Sequence, residues 1–216
     1  MSLTTKILLV GPQNAGKTVL AKYIFSRDAD DLGFLENNME EKEFEAFKMD
    51  LGSEGDVSTY PLRIHERNIE DFQLSSGAVV SVNVQIWDVS GDLERMRDKL
   101  EVVCGNALGA VFVYNPGRQG HGELLDQWFR ELENLLPSSA EKILYPYKMP
   151  DQKQNSRAVH PKLTSRVRTV EDCNAYERDS IRRMHTEFNQ MLRKVVDRQY
   201  TRREKQERSL MNTNNY

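Results

Sequence analysis

The 216-residue chain predicts an α/β domain built around a phosphate-binding loop, and three observations carry that prediction. Residues 11–18 read Gly-Pro-Gln-Asn-Ala-Gly-Lys-Thr, a complete GxxxxGK[ST] pattern. The apolar run Ile7-Leu8-Leu9-Val10 before it suits a buried strand, and the stretch from Val19 to Ile24 after it continues as a helix. Further on, Trp87-Asp88-Val89-Ser90-Gly91 places a DxxG sequence at the end of a segment in which Val80, Val82, Val84 and Ile86 alternate with polar residues, the period of a half-buried strand.

The chemistry of this pairing is specific. Backbone N–H groups across Asn14, Ala15, Gly16 and Lys17 are set to cradle phosphate oxygens, with the positive end of a helix behind them. Candidate nucleotide contacts therefore run through Gln13, Asn14, Ala15, Gly16, Lys17, Thr18 and Val19. Lys17 is a point charge for the outer phosphates, and the Thr18 hydroxyl is a Mg²⁺ ligand. In a nucleotide switch the strand-end aspartate, here Asp88, holds the ion through water, and the Gly91 N–H reports on the terminal phosphate.

The remaining elements come in order along the chain. Residues 27–58 form a long acidic stretch with interspersed Phe34, Leu35, Phe44, Phe47 and Met49, read as an excursion with a short helix near 40–48 or as a solvated insertion. Leu62 to Leu74 reads as a half-exposed strand, Ser75-Ser76-Gly77 as a turn, and the valine-alternating segment as its antiparallel partner at a sheet edge. Residues 107–115 suit a central strand, and Glu123 to Leu136 an amphipathic helix in which Trp128 is a core residue. Lys142 to Tyr147 is a fifth strand, Met149 to Ser165 a surface loop, and Arg166 to Val170 a last strand. From about Ala175 one face repeats Tyr176, Ile181, Met184, Phe188, Leu192, Val195 and Val196. Past Tyr200 the apolar residues mostly stop and a basic end, 201–216, is expected as frayed helix or a flexible tail.

Composition narrows the function classes. A formal net charge of −3 argues against general nucleic-acid binding. Cys104 and Cys173 lie far apart without metal-ligand spacing, as core thiols of a reducing compartment do. No secretory signal or membrane-spanning run is visible, position 2 is Ser, and the final residues are Asn-Asn-Tyr, so a cytoplasmic, unlipidated protein is expected.

Phosphate loop, hairpin, DxxG and the alternating strands and helices resemble a Ras-like small GTPase over residues 5–200. The resemblance implies a P-loop G domain with a six-stranded mixed sheet flanked by helices, an extended first switch region at 27–58 and a basic C-terminal helix or tail. Several local sequences narrow it: Lys6 to Pro12, Gly16 to Ala21, Thr59 with Arg63-Ile64, and Trp87-Asp88 followed by Gly91-Asp92. These, with no lipidation cysteine, look like the Rab-like small GTPase subunit of the intraflagellar transport complex B. That likeness implies GTP or GDP with Mg²⁺ as cofactors and coiled-coil subunits of that complex as partners. It also implies a chain monomeric by itself, a place at the cilium or flagellum and its base, and a role in assembling that organelle.

Departures from the ordinary pattern shape the rest. Asp92 stands where most members carry a water-orienting glutamine, and a carboxylate there repels the terminal phosphate, so intrinsic hydrolysis is expected to be very slow. The Asn-Lys-x-Asp motif that reads guanine is missing. Its place reads Tyr145-Pro146-Tyr147-Lys148-Met149-Pro150, which leaves Lys148 to lie along the base, and the third base motif falls at Arg168-Thr169-Val170, with Thr169 and Val170 as its contacts. Thr59 is the candidate switch threonine, joining Thr18 and Asp88 around the metal; a turn residue leading into the strand is its other reading. A partner-activated switch and, at a greater distance, an ATP-using P-loop enzyme stay open as alternatives.

Overall fold

The computed structural model describes residues 2–25, 59, 61–148, 161–171, 173–174 and 177–213. The expected short helix near 40–48 and residues 149–160 of the expected surface loop 149–165 lie outside these residues; the rest of that loop is a short 3₁₀ helix, Lys162–Ser165, with Leu163 buried.

A continuous apolar run has no solvent-facing side to offer, so it goes to the middle of the sheet. That is the fate of β1 (Ser2–Val10), whose second half is fully buried, and of β4 (Gly109–Tyr114), buried throughout. They pair in parallel, Ile7 against Gly109 through Val10 against Phe112. On its other side β1 runs parallel to β3 (Val79–Val89), and β3 pairs antiparallel with the edge strand β2 (Leu62–Gln73). The turn between them is the expected one: the Gly77 N–H donates to the Leu74 carbonyl at 3.0 Å. β5 (Glu141–Lys148) lies beyond β4, followed by β6 (Arg168–Thr169). The order β2-β3-β1-β4-β5-β6 is the six-stranded mixed sheet expected from the sequence. A seventh strand that the sequence reading did not contain, β7 (Cys173–Asn174), pairs with the end of β5.

Two apolar clusters sandwich this sheet. On one face the helical segment after the phosphate loop and the long C-terminal helix cover Ile7, Leu9, Val111, Val113, Ile143 and Tyr145. That segment begins as α1 (Lys17–Val19) and widens into a π-helical turn, Leu20–Phe25. The Phe25 ring stacks on Phe188 with centroids 4.3 Å apart. On the other face Leu8, Val10, Phe112 and Leu144 meet α2 (Leu93–Met96), α3 (Leu100–Cys104) and α4 (His121–Glu133). Trp128 is a core residue, 1% exposed, and both cysteines are buried free thiols, as their sequence contexts suggest.

The last helix, α5 (Arg178–Thr213), has 36 residues and is about 54 Å long at 1.5 Å per residue. Its buried stripe ends at Val196, yet the helix continues unbroken through the basic end to Thr213. The ion pairs Arg203–Glu207 and Arg208–Glu204, each one helical turn apart, account for part of that persistence. No helix among the described residues is long and apolar enough to cross a membrane.

Candidate phosphate and base site

The loop 11–18 leaves the C-terminal end of β1, between β3 and β4, where an open α/β sheet opens a crevice. Two features shape it. Asn14 adopts φ 56°, a left-handed conformation that asparagine tolerates better than most side chains. Gly16 sits at φ 88°, and a Cβ there would lie 2.3 Å from the Tyr147 ring. The loop is therefore seated directly on an aromatic side chain from the end of β5, and Tyr147 is 1% exposed.

Lys17 is buried at 6% exposure, and its Nζ donates to the carbonyls of Gly11 (2.9 Å) and Pro12 (2.8 Å). Burial pushes its pKa down to about 8, against the pull of the Asp88 charge. Such an ammonium spans the loop and gains most from an anion laid beside it.

The three residues assigned to the metal come together from distant parts of the sequence. Thr18 Oγ1 donates to Asp88 Oδ2 at 2.6 Å, Thr59 Oγ1 donates to the same oxygen at 3.2 Å, and the two hydroxyls are 3.2 Å apart. Asp88 is fully buried, and among the described residues its Oδ1 has no hydrogen-bond partner. An ionised oxygen held away from water with nothing to accept is costly. Two hydroxyls and one carboxylate, with one oxygen unmatched, suit a hard cation that completes its shell with phosphate and water, as Mg²⁺ does. No group of three or more His, Cys, Asp or Glu side chains gathers into an all-protein metal site among the described residues.

Gly91 closes the cleft from the other side. A Cβ on it would fall 2.3 Å from the Gln13 nitrogen and 2.6 Å from the Pro12 carbonyl carbon, so glycine alone permits this backbone-to-backbone approach. Asp92, next in line, does not face into the cleft as a free carboxylate. It caps α2, accepting from the Arg95 N–H at 3.2 Å and pairing with the Arg95 guanidinium at 3.3 Å.

At the base end, placement departs from the sequence reading. Thr169 pairs with Leu144, and the Val170 N–H donates to the Leu144 carbonyl at 2.9 Å, both some three residues short of Tyr147. Val170 is core, 3% exposed. The residues level with Tyr147 and Lys148 are Cys173 and Asn174 of β7. The chain leaves the sheet after β6 and rejoins it at Cys173, a detour that a count of positions along the sequence does not register.

Sequence reasoning also passed over the β4–α4 junction. The Asn115 N–H donates to His121 Nδ1 at 3.2 Å, and the Asn115 side chain accepts from Gly117 N–H at 2.8 Å while its Nδ2 stays buried and unmatched among the described residues. Burial, with the charges of Arg118 and Lys17, pushes His121 down to about 4. The Gly-rich run 117–122 was the available signal.

Comparison with solved structures agrees with this fold. The chain is similar to the GTP-bound crystal structure of T. brucei IFT22/74/81, with 18% identity over 92% of this chain and 98% of that one and a TM-score of 0.56. A GTP-bound T. brucei IFT22 crystal structure is also similar, at 22% identity, 77% and 80% coverage and a TM-score of 0.44. No protein-family model matches the sequence, and no curated protein matches it. The fold is thus the Ras-like α/β arrangement.

Proposed function

We propose that this chain is the small GTPase-like subunit of an intraflagellar transport B complex, a guanine-nucleotide-binding module that docks on coiled-coil partners. The observation that carries the nucleotide part is the convergence of Thr18, Thr59 and Asp88 beside an intact phosphate loop, with one Asp88 oxygen left unmatched among the described residues. The transport part is supported by the local sequences around the phosphate loop, Thr59 and the DxxG, and by a shared fold with the IFT22/74/81 structure.

Each residue then has its role. Loop N–H groups from Gln13 to Lys17 hold phosphate oxygens, and Lys17 neutralises the outer ones. Thr18 and Thr59 would supply hydroxyl ligands to Mg²⁺ and Asp88 a carboxylate through water; the ion, when bound, would neutralise phosphate charge. With Thr59 engaged on the ion and the Gly91 N–H on the terminal phosphate, the segments at 59 and 88–97 are ordered together, and that ordered surface is what a partner reads. Hydrolysis is very slow because Asp92 is spent on capping α2 and no glutamine stands after the DxxG to orient a water. Lys148, with Cys173 and Asn174 beside it, borders the base. The protein works in the cytoplasm and at the cilium or flagellum and its base.

One experiment tests this reading. The freshly purified protein is denatured, its released nucleotide identified by chromatography, and hydrolysis of GTP and ATP followed with Lys17→Ala as control. Guanine nucleotide with scarcely any turnover is the expected result. Adenine nucleotide, or brisk turnover without a partner, would overturn it. The absence of Asn-Lys-x-Asp is the observation that keeps an ATP-using enzyme as the second reading.

A further inference from the structure

A buried side chain whose polar groups are all matched serves the fold; one with a group left over points to something that comes to it. Asn115, directly after β4 and 1% exposed, is of the second kind. Its backbone N–H donates to His121 Nδ1 at 3.2 Å, its carbonyl accepts from the Arg118 N–H at 3.1 Å, and its Oδ1 accepts from the Gly117 N–H at 2.8 Å. Only Nδ2 remains, buried and without a partner among the described residues. A donor closed off in this way carries the full cost of its lost hydration. His121 is held in the form the arrangement needs: Nδ1 accepts only from a neutral ring, and burial with the charges of Arg118 and Lys17 keeps the ring neutral down to about 4.

This junction stands against the phosphate loop. A Cβ on Gly11 would overlap the Val113 carbonyl oxygen and come within 3.4 Å of Leu125 Cδ1, so the loop starts out seated on the end of β4 and on α4. Asn115 is two residues past Val113, no more than about 7 Å along the chain. Lys17 feels the charge of Asp88 on the β3 side and makes its own charge felt at His121 on the β4 side. Two buried atoms without partners thus belong to the two sides of one ammonium: an Asp88 oxygen that accepts and an Asn115 amide that donates. An oxyanion accompanied by a cation is the complement of that pair.

We propose that the Asn115 side chain is a further nucleotide contact, its Nδ2 donating to an oxygen of the phosphate chain that the loop holds. The inference rests on the nucleotide part of the proposed function and is indifferent to the base. A neutral donor suits the position, since it adds a hydrogen bond to an anion without burying a second cation beside Lys17. The contacts to Gly117, Arg118 and His121 fix the residue before any ligand arrives, which leaves little ordering to be done on binding.

Asn115→Ser separates the contact from the fold. A serine hydroxyl can accept from the Gly117 N–H as Oδ1 does, but it is too short to replace the Nδ2 donor. Affinities for GTP, GDP and ATP with Mg²⁺ are measured by calorimetry for the full chain and the variant, with unliganded thermal midpoints alongside. Displacement of a fluorescent nucleotide by inorganic tripolyphosphate is followed in parallel. The expected result is a loss of about 10- to 100-fold in GTP affinity, a matching loss for tripolyphosphate, and an unchanged unliganded midpoint. Asn115→Asp, which keeps the shape and puts an oxygen in place of Nδ2, should lose more. Both variants folded and binding GTP as the wild type does would overturn this inference and leave the proposed function standing. Weakened GTP binding with tripolyphosphate unaffected also overturns it, because the contact then belongs to the sugar. A wild-type chain that prefers ATP overturns the guanine reading alone, and one that binds no nucleotide overturns both.

Discussion

Lys17 illustrates how much a single buried charge settles. Its pKa of about 8, against an ordinary 10.5, means that between those values the unfolded chain holds a proton the folded chain has released. Stability without nucleotide therefore gains a positive slope with pH across that window, and below pH 8 the fold carries the full cost of the buried ammonium. Chemical denaturation at pH 7.5 and 9.5 is expected to show this gain in the wild type and to lose it in Lys17→Met. Phosphate binding restores the proton, so nucleotide affinity should weaken as pH rises past about 8, measurable by titration at those same pH values. Gly16 is the other sensitive position. Alanine there combines a left-handed backbone with overlap against the Tyr147 ring, and is expected to cost about 2–4 kcal/mol by denaturant unfolding. A Tyr147→Ala second change should recover part of that loss, which a purely backbone effect would not allow.

At the scale of elements, the legible parts of the sequence were those with one dominant cause. Strands β1 and β4 announce themselves by unbroken apolar runs, and β3 by strict alternation, because burial on one or both faces leaves no other arrangement. That Thr18 and Asp88 should meet was legible in the spacing of their motifs; Thr59 joins them through a tertiary contact that only the resemblance suggested. β7 was illegible, since two residues carry no period and Cys173 and Asn174 gain their position from pairing with β5 alone. The extent of α5 was underread for a related reason: beyond Tyr200 the pattern is polar, and local ion pairs hold the helix where no core does. Two changes in α5 should then behave oppositely. Removing residues 204–213, of which 205–211 are exposed, is expected to shift the thermal midpoint by no more than about 1–2 °C. Phe188→Ala, which empties the stacking partner of Phe25 in the core, should cost about 3–5 kcal/mol.

For the molecule as a whole, ligand and proton set the limits of stability. A nucleotide at 100 times its Kd adds about 2.7 kcal/mol to unfolding, whatever it signals; a thermal-shift series in GTP should show that rise, and Lys17→Ala should not. On the acid side His121, at about 4 against an ordinary 6.5, is kept neutral by burial and by the charges of Arg118 and Lys17. The unfolded chain takes up that proton first, so stability falls as pH drops from 6.5 towards 4. His121→Gln is expected to flatten this part of the profile, read by urea midpoints at pH 5 and 7. Finally, the ring of Tyr147 belongs at once to the end of β5 and to the bed of the phosphate loop. The loop therefore has a floor that its own sequence does not supply, and a change made in the sheet is felt as a change in the loop. Thinning that floor to leucine is expected to speed release of a bound nucleotide, read by displacement of a fluorescent analogue, while Lys17 and its two carbonyl partners stay in place.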